Sequence, residues 1–87
     1  MRNRKGLTLI NTDGMTNMYK LYDTVILSTN GIFIKLNTDG FRTNHTKNCM
    51  NDNLPEGYRV YQKNFEWFVD TPNEKGITFE DEMVLTL

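Results

Sequence analysis

The chain has 87 residues, of which 38% are apolar and 24% charged, with a formal net charge of −1. That composition describes one small globular domain and excludes a disordered segment, while the near-zero charge points neither toward nor away from nucleic acid. One cysteine, Cys49, and one histidine, His45, exclude an internal disulfide and a Cys/His zinc set.

Charge is unevenly spread. Residues 1–20 hold Arg2, Arg4, Lys5 and Lys20 against Asp13, whereas residues 69–87 hold Asp70, Glu74, Glu80, Asp81 and Glu82 against Lys75. The chain is basic at its start and acidic at its end. No apolar run approaches the ~18 residues of a membrane span. The basic start has no apolar core behind it, so it does not read as a secretory signal, and a reducing cytoplasm is the expected compartment.

Residues 1–17, MRNRKGLTLINTDGMTN, are polar and weakly patterned apart from Leu7, Leu9 and Ile10. Met15 and Met18 are alternative starts. The expectation is a loose basic arm or a start-site extension, followed by a compact domain over residues 18–87.

The first hairpin signal is Asn30-Gly31 between two β-rich runs. A type I′ turn needs positive φ at both central positions, which Asn-Gly supplies. A two-residue turn would pair Thr29 with Ile32, Leu27 with Ile34 and Val25 with Leu36. The apolar members of those pairs share one face, and Thr24, Ile26, Ser28, Phe33, Lys35 and Asn37 share the other.

The letters Asn-Thr-Asp-Gly occur at 11–14 and again at 37–40. A calcium loop of the EF-hand type with its glycine at Gly40 needs an acid where Lys35 stands and a glutamate where Thr46 stands. The first copy fails likewise at Leu9 and Lys20. Both copies read as Asp-Gly turns.

Residues 43–54, TNHTKNCMNDNL, predict a short helix over about 44–54. Thr43 or Asn44 caps it, Thr46, Cys49, Met50 and Leu54 form its buried stripe, and Pro55 ends it. Four asparagines within it, at 44, 48, 51 and 53, make it a weak helix in isolation, dependent on packing.

The stretch GYRVYQKNFEWFVDTP, residues 57–72, predicts a second hairpin. A Lys63-Asn64 turn pairs Gln62 with Phe65, Val60 with Trp67 and Tyr58 with Val69. Alternation then sets Tyr58, Phe65 and Trp67 toward the core, and Arg59, Tyr61, Glu66 and Phe68 on the opposite face. After the turn at 71–76, a strand is expected at Ile77–Phe79, an acidic kink at Glu80–Glu82 and a last strand at Met83–Leu87. The fold class is α+β: a small, mostly antiparallel, curled β-sheet of two hairpins and C-terminal strands, with one short helix.

Chemistry-bearing constellations are few. His45 and Cys49 stand four apart on one helix, the spacing of a nucleophile pair, yet Cys49 falls on the apolar stripe, where a neutral thiol is the usual outcome. Glu80, Asp81 and Glu82 are adjacent strand-end acids that alternate faces, which suits an acidic edge better than a cation site. No phosphate loop or hydrolase motif is present. Neither catalytic residues, nor a metal site, nor a cofactor is expected.

The basic-aromatic face is the best functional candidate. Arg59, Tyr61 and Phe68, with Arg42 and Lys63, form either a stacking platform for nucleic acid or a protein-contact patch. The competing reading has the helix cover Tyr61 and Phe68 with Met50 and Leu54.

The segment carrying Thr43, Thr46, Lys47 and Asn51, then Gly57–Lys63, Glu66–Val69, Thr71 and Pro72, then Phe79–Asp81 and Met83, resembles small accessory proteins of tailed bacteriophages over about residues 24–85. The resemblance implies a role in the cytoplasm of an infected bacterium. It implies a non-enzymatic module that binds a bacterial host protein, as an inhibitor of a host or defence factor. A weak nucleic-acid binder and a small structural virion component are the alternatives. It carries over no active-site residue.

Overall fold

The computed structural model describes residues 4–11 and 14–87. Among these residues eight strands lie in two antiparallel sheets, with one helix between the fourth and fifth strands in sequence. The α+β class, the antiparallel pairing and the short helix are as the sequence indicates.

The larger sheet begins with β1 (Leu7–Asn11) and β2 (Asn17–Leu21), paired from Leu7↔Leu21 to Asn11↔Asn17. The expected loose arm is therefore, in its described part, sheet. Its start is also tied down: Arg4 donates to both carboxylate oxygens of Asp52, at 2.6 and 3.3 Å. Of the first Asn-Thr-Asp-Gly copy, residues 12 and 13 lie outside the described residues, and the Gly14 N–H donates to Asn11 Oδ1 at 2.7 Å.

A two-residue connection, Tyr22-Asp23, leads from β2 into β3 (Thr24–Thr29). Pairing there passes from Tyr19↔Leu27 to Lys20↔Val25, which leaves Ile26 as an extra residue. This bulge breaks the alternation. Ile26, expected on the polar face, is only 1% exposed beside Leu27. Val25, expected in the core, instead lines an open polar depression with Ser28 and Lys35.

The β3–β4 hairpin pairs Thr29 with Ile34 and Leu27 with Leu36, two residues away from the expected register. Asn30 is the cause. Its side-chain oxygen accepts the N–H groups of Ile32 and Phe33, at 3.0 and 3.2 Å, and closes a four-residue loop. Ile32 becomes 67% exposed, while Ile34 and Leu36 of β4 (Phe33–Leu36) stay buried. An even shift preserves the faces.

The chain then leaves this sheet. Asp39 and Gly40, with φ of 53° and 84°, turn it into helix α1 (Asn44–Asn53), and Thr43 Oγ1 accepts the Thr46 N–H at 3.1 Å as the N-cap. Thr46, Cys49 and Met50 are buried and Leu54 packs against the core, as the stripe predicts. The smaller sheet follows: β5 (Arg59–Lys63), β6 (Glu66–Asp70) and β7 (Ile77–Thr78). Its hairpin pairs Val60 with Val69 and Gln62 with Trp67, so the turn is Asn64-Phe65 rather than Lys63-Asn64. Both turn residues have positive φ, 53° and 66°, the type I′ geometry. Phe65, expected in the core, is 96% exposed at the tip. Asparagine tolerates the left-handed region better than lysine, which draws Asn64 into the first turn position.

The return to the larger sheet is β8 (Met83–Thr86), antiparallel to β4. One core joins everything. Leu21, Ile26, Leu27, Ile34, Leu36 and Leu85 come from the larger sheet, Cys49 and Met50 from the helix, and Val60, Trp67 and Val69 from the smaller sheet. Phe79, just past β7, completes it.

Two polar clasps hold these parts in place. The Asn51 side-chain amide donates to the Val60 carbonyl and accepts the Val60 N–H, both at 2.8 Å, so the helix pairs with β5 as a strand would. Asp81 accepts from the Thr38 N–H and Oγ1–H through one oxygen, both at 2.7 Å, and from the Gly40 N–H through the other at 3.3 Å. Burial works to raise the Asp81 pKa. The Thr38 and Gly40 hydrogen bonds and the Arg42 charge outweigh it, and the carboxyl is held below its usual value.

Asn51→Ala leaves both Val60 groups unpaired at a half-buried edge, and a loss of about 2 kcal/mol is expected in urea unfolding. Asn51→Asp, which keeps the acceptor only, should fall between it and the wild type. For Asp81, a depressed folded pKa means that the unfolded chain binds the proton first as pH falls. The stabilisation is therefore complete above the ordinary carboxylate range and is lost as pH drops through the lowered folded value. Asp81→Ala should cost about 2 kcal/mol at neutral pH. Its gap from the wild type should narrow below about pH 4, measured by unfolding at a series of pH values.

Candidate functional site

The smaller sheet divides its side chains by the pleat. Val60, Trp67 and Val69 face the core and α1, and Arg59, Tyr61, Lys63, Glu66, Phe68 and Asp70 face the other way. The helix lies on the core side, with Met50 buried in the same cluster as Val60 and Val69. It does not cover Tyr61 or Phe68, which are half-buried and stack on each other.

The outward face is a ladder of three rungs. Arg59 stands opposite Asp70, Tyr61 opposite Phe68, and Lys63 opposite Glu66. The two rings stack at 5.7 Å between centroids, and the Arg59 guanidinium lies 4.7 Å from the Tyr61 ring centroid. Burial pushes the Tyr61 phenol upward. The Asp70 charge and a hydrogen bond to Asp70 add to this, and Arg59 opposes it. Asp70 also accepts the Gly76 N–H at 2.9 Å, which anchors the segment entering β7. An aromatic pair thus sits between two oppositely charged pairs, and the face carries no net charge. Phe65 extends from the hairpin tip just past Lys63 and Glu66.

Arg42 is not part of this face. Its guanidinium lies 5.0 Å from the Phe79 ring centroid and 3.9 Å from Asp81. Phe79 packs edge-on against Trp67, the core-facing aromatic, so Arg42 belongs to the opposite side of the sheet. The acidic edge is also divided. Glu80 and Glu82 are exposed, but Asp81 is turned inward onto Thr38 and is not available as a surface acid.

His45 and Cys49 come within 3.9 Å, yet the imidazole Nε2 also lies 2.7 Å from the Lys5 carbonyl. A carbonyl only accepts, so Nε2 carries a proton and has no lone pair for the thiol. Burial pushes the Cys49 thiol pKa up, and Asp52 adds to this against Arg4. That is the reverse of what a nucleophile needs. Among the described residues, no three His, Cys, Asp or Glu side chains gather as a metal site, and no helix is long and apolar enough to cross a membrane.

A feature absent from the sequence reading is an apolar cleft of about 340 Å³ between the β2–β3 turn and the start of α1. Leu21, Tyr22, Ile26 and Phe41 line it, with His45 and Thr46 at the helix end. Tyr22 and Phe41 are both exposed. Tyr22 is held at φ 54° with its ring over Gly6, where even a Cβ would lie 2.5 Å from the ring. No local signal marks the cleft, because its walls come from segments about twenty residues apart.

No curated protein and no solved structure matches the chain. A family model described as Kyanoviridae Gp96 protein matches residues 2–86, which takes in β1 as well as the segment that resembles phage accessory proteins. The chain belongs to this family of tailed-phage proteins, the Kyanoviridae Gp96 family.

Proposed function

We propose that the protein is a non-enzymatic binding module with which a tailed phage engages a protein of its bacterial host, through the Tyr61–Phe68 face and the Phe65 tip. On this reading it works in the cytoplasm of the infected cell, as an inhibitor or redirector of that host factor. The observation that carries the reading is Phe65. A bulky side chain in the left-handed region costs about 1–2 kcal/mol, and this one is 96% exposed, so no burial in the protein itself offsets the strain. Such outliers concentrate where a partner is gripped. The adjoining ladder suits a protein partner better than a phosphate backbone. Its two cations face two carboxylates, so it lacks the excess positive charge that nucleic-acid binding draws on. An aromatic centre with a charged, self-neutralised rim is the usual make-up of a protein contact.

The test is capture from an extract of the phage's bacterial host by the tagged protein, beside Phe65→Gly and the double variant Tyr61→Ala with Phe68→Ala. Phe65→Gly creates an Asn-Gly type I′ turn and should unfold at higher urea, gaining about 1 kcal/mol, while losing the captured protein. The double variant should stay folded and also lose it. If capture survives in both, this face is not the interface; if the double variant unfolds, the two rings are structural. A labelled oligonucleotide should show no salt-sensitive binding by polarisation. Binding that weakens with salt and with Arg59→Ala would replace this reading with nucleic-acid recognition.

A further inference from the structure

We infer that the outer edge of β1 pairs with β1 of a second copy of this chain, about a two-fold axis at Leu9. The inference is independent of the Tyr61–Phe68 face. It starts from the hydrogen-bond alternation of an antiparallel pair. The Tyr22 N–H donates to the Gly6 carbonyl at 2.8 Å, one step beyond the Leu7↔Leu21 pair and in the same register. Bonded pairs then fall at Thr8↔Lys20 and Ile10↔Met18. The N–H and C=O of Leu7, Leu9 and Asn11 therefore point away from β2. The Leu7 N–H is taken by the Arg4 carbonyl at 3.1 Å. Among the described residues, the N–H and C=O of Leu9 have no partner.

The other strand edges are shorter or partly occupied, each differently. On β5 the outward groups of Val60 go to Asn51, and a cation stands at each end of the strand. On β8, which is four residues long, the outward Thr86 carbonyl accepts from the Tyr58 hydroxyl at 3.3 Å and Glu80 and Glu82 precede the strand, which leaves the outward groups of Val84 without a partner among the described residues. β7 is two residues long. β1 is five residues, Leu-Thr-Leu-Ile-Asn, with no charge, no proline and no bulge against its neighbour. These are the features whose absence leaves an edge open to pairing.

The sequence of β1 also suits itself as partner. Two-fold antiparallel pairing about Leu9 sets Leu9 against Leu9 of the second copy on one face, and Thr8 against Ile10 on the other. Leucine meets leucine, a β-branched threonine meets a β-branched isoleucine, and no like charges stand opposite one another. Leu9 is 44% exposed in the single chain and would be covered. The two Leu9 residues exchange both hydrogen bonds, and two five-stranded sheets become one continuous sheet. Isologous two-fold contacts of this kind are the commonest closed assembly.

The test is sedimentation equilibrium of the whole chain from micromolar to millimolar, beside Leu9→Pro and Leu9→Lys. Proline at an outward N–H removes no bond within the sheet, and lysine is a natural edge guard. The wild type should reach a dimer, and both variants should stay monomeric with unchanged circular dichroism. Should Leu9→Pro unfold, Leu9→Lys decides. In the wild type the Leu9 amide should exchange slowly when concentrated and rapidly when dilute. A monomeric wild type throughout, a dimer that persists in the folded variants, or a Leu9 amide that exchanges freely at every concentration overturns the inference. The Tyr61→Ala, Phe68→Ala variant should still dimerise, which separates this outcome from that of the host-protein reading.

Discussion

The chain leaves its larger sheet once, after β4, and returns once, before β8, and the Asp81 carboxylate ties the two crossings together. It holds the Thr38 backbone and hydroxyl on the way out and itself sits on the way back. Arg42 and Phe79 repeat the link beside it, one from each crossing. Beyond this tie, the smaller sheet and the helix are held to the rest of the chain by apolar contact and by the polar links Arg4–Asp52, His45–Lys5 carbonyl and Tyr58–Thr86 carbonyl. With the tie, Thr38 is buried and α1 starts at a defined point.

Orientation of the smaller sheet then follows from α1. The Asn51 amide closes the β5 edge, and Met50 and Cys49 fill the space under Val60, Trp67 and Val69. A helix committed to that side cannot cover Tyr61 and Phe68. The candidate surface is thus a consequence of packing elsewhere: the core takes one face of β5–β6, and the other is left to water or to a partner. The rungs that flank the aromatic pair keep this surface soluble without giving it net charge.

Among the non-glycine residues with positive φ, two are aromatic, and the core rewards neither. Phe65 holds a positive φ with its ring in solvent, and Tyr22 does so with its ring over Gly6 beside an apolar cleft. Tyr22 recovers some of its cost through contact with Gly6. Phe65, 96% exposed, has no such contact among the described residues, which is why the proposed interface includes the hairpin tip rather than the cleft.

The faces of both hairpins were legible in the sequence because alternation has period two. The loops came out two residues off, at Asn30 and Asn64, and an even slip leaves inside and outside unchanged. The helix was legible as well, since Thr43, the stripe at Thr46, Cys49 and Met50, and Pro55 agree on its limits. What lies near a turn was not. Ile32 and Phe65 moved from core to solvent because an asparagine side chain, not the apolar pattern, chose the turn. The bulge at Ile26 was equally hidden, since an extra residue leaves no mark in composition. The first strand was missed because Leu7, Leu9 and Ile10 do not alternate with a buried face, and an edge strand gains most of its stability from its neighbour. By itself, then, the sequence determined class, faces and helix limits, all of which rest on local periodicity and capping. Only the tertiary structure decided that Asp81 turns inward, that Arg42 joins Phe79 rather than Tyr61, and that α1 leaves the aromatic face open. The first two depend on contacts between residues roughly forty positions apart and the third on the Asn51–Val60 clasp between helix and strand, and no local pattern encodes the free energy of either.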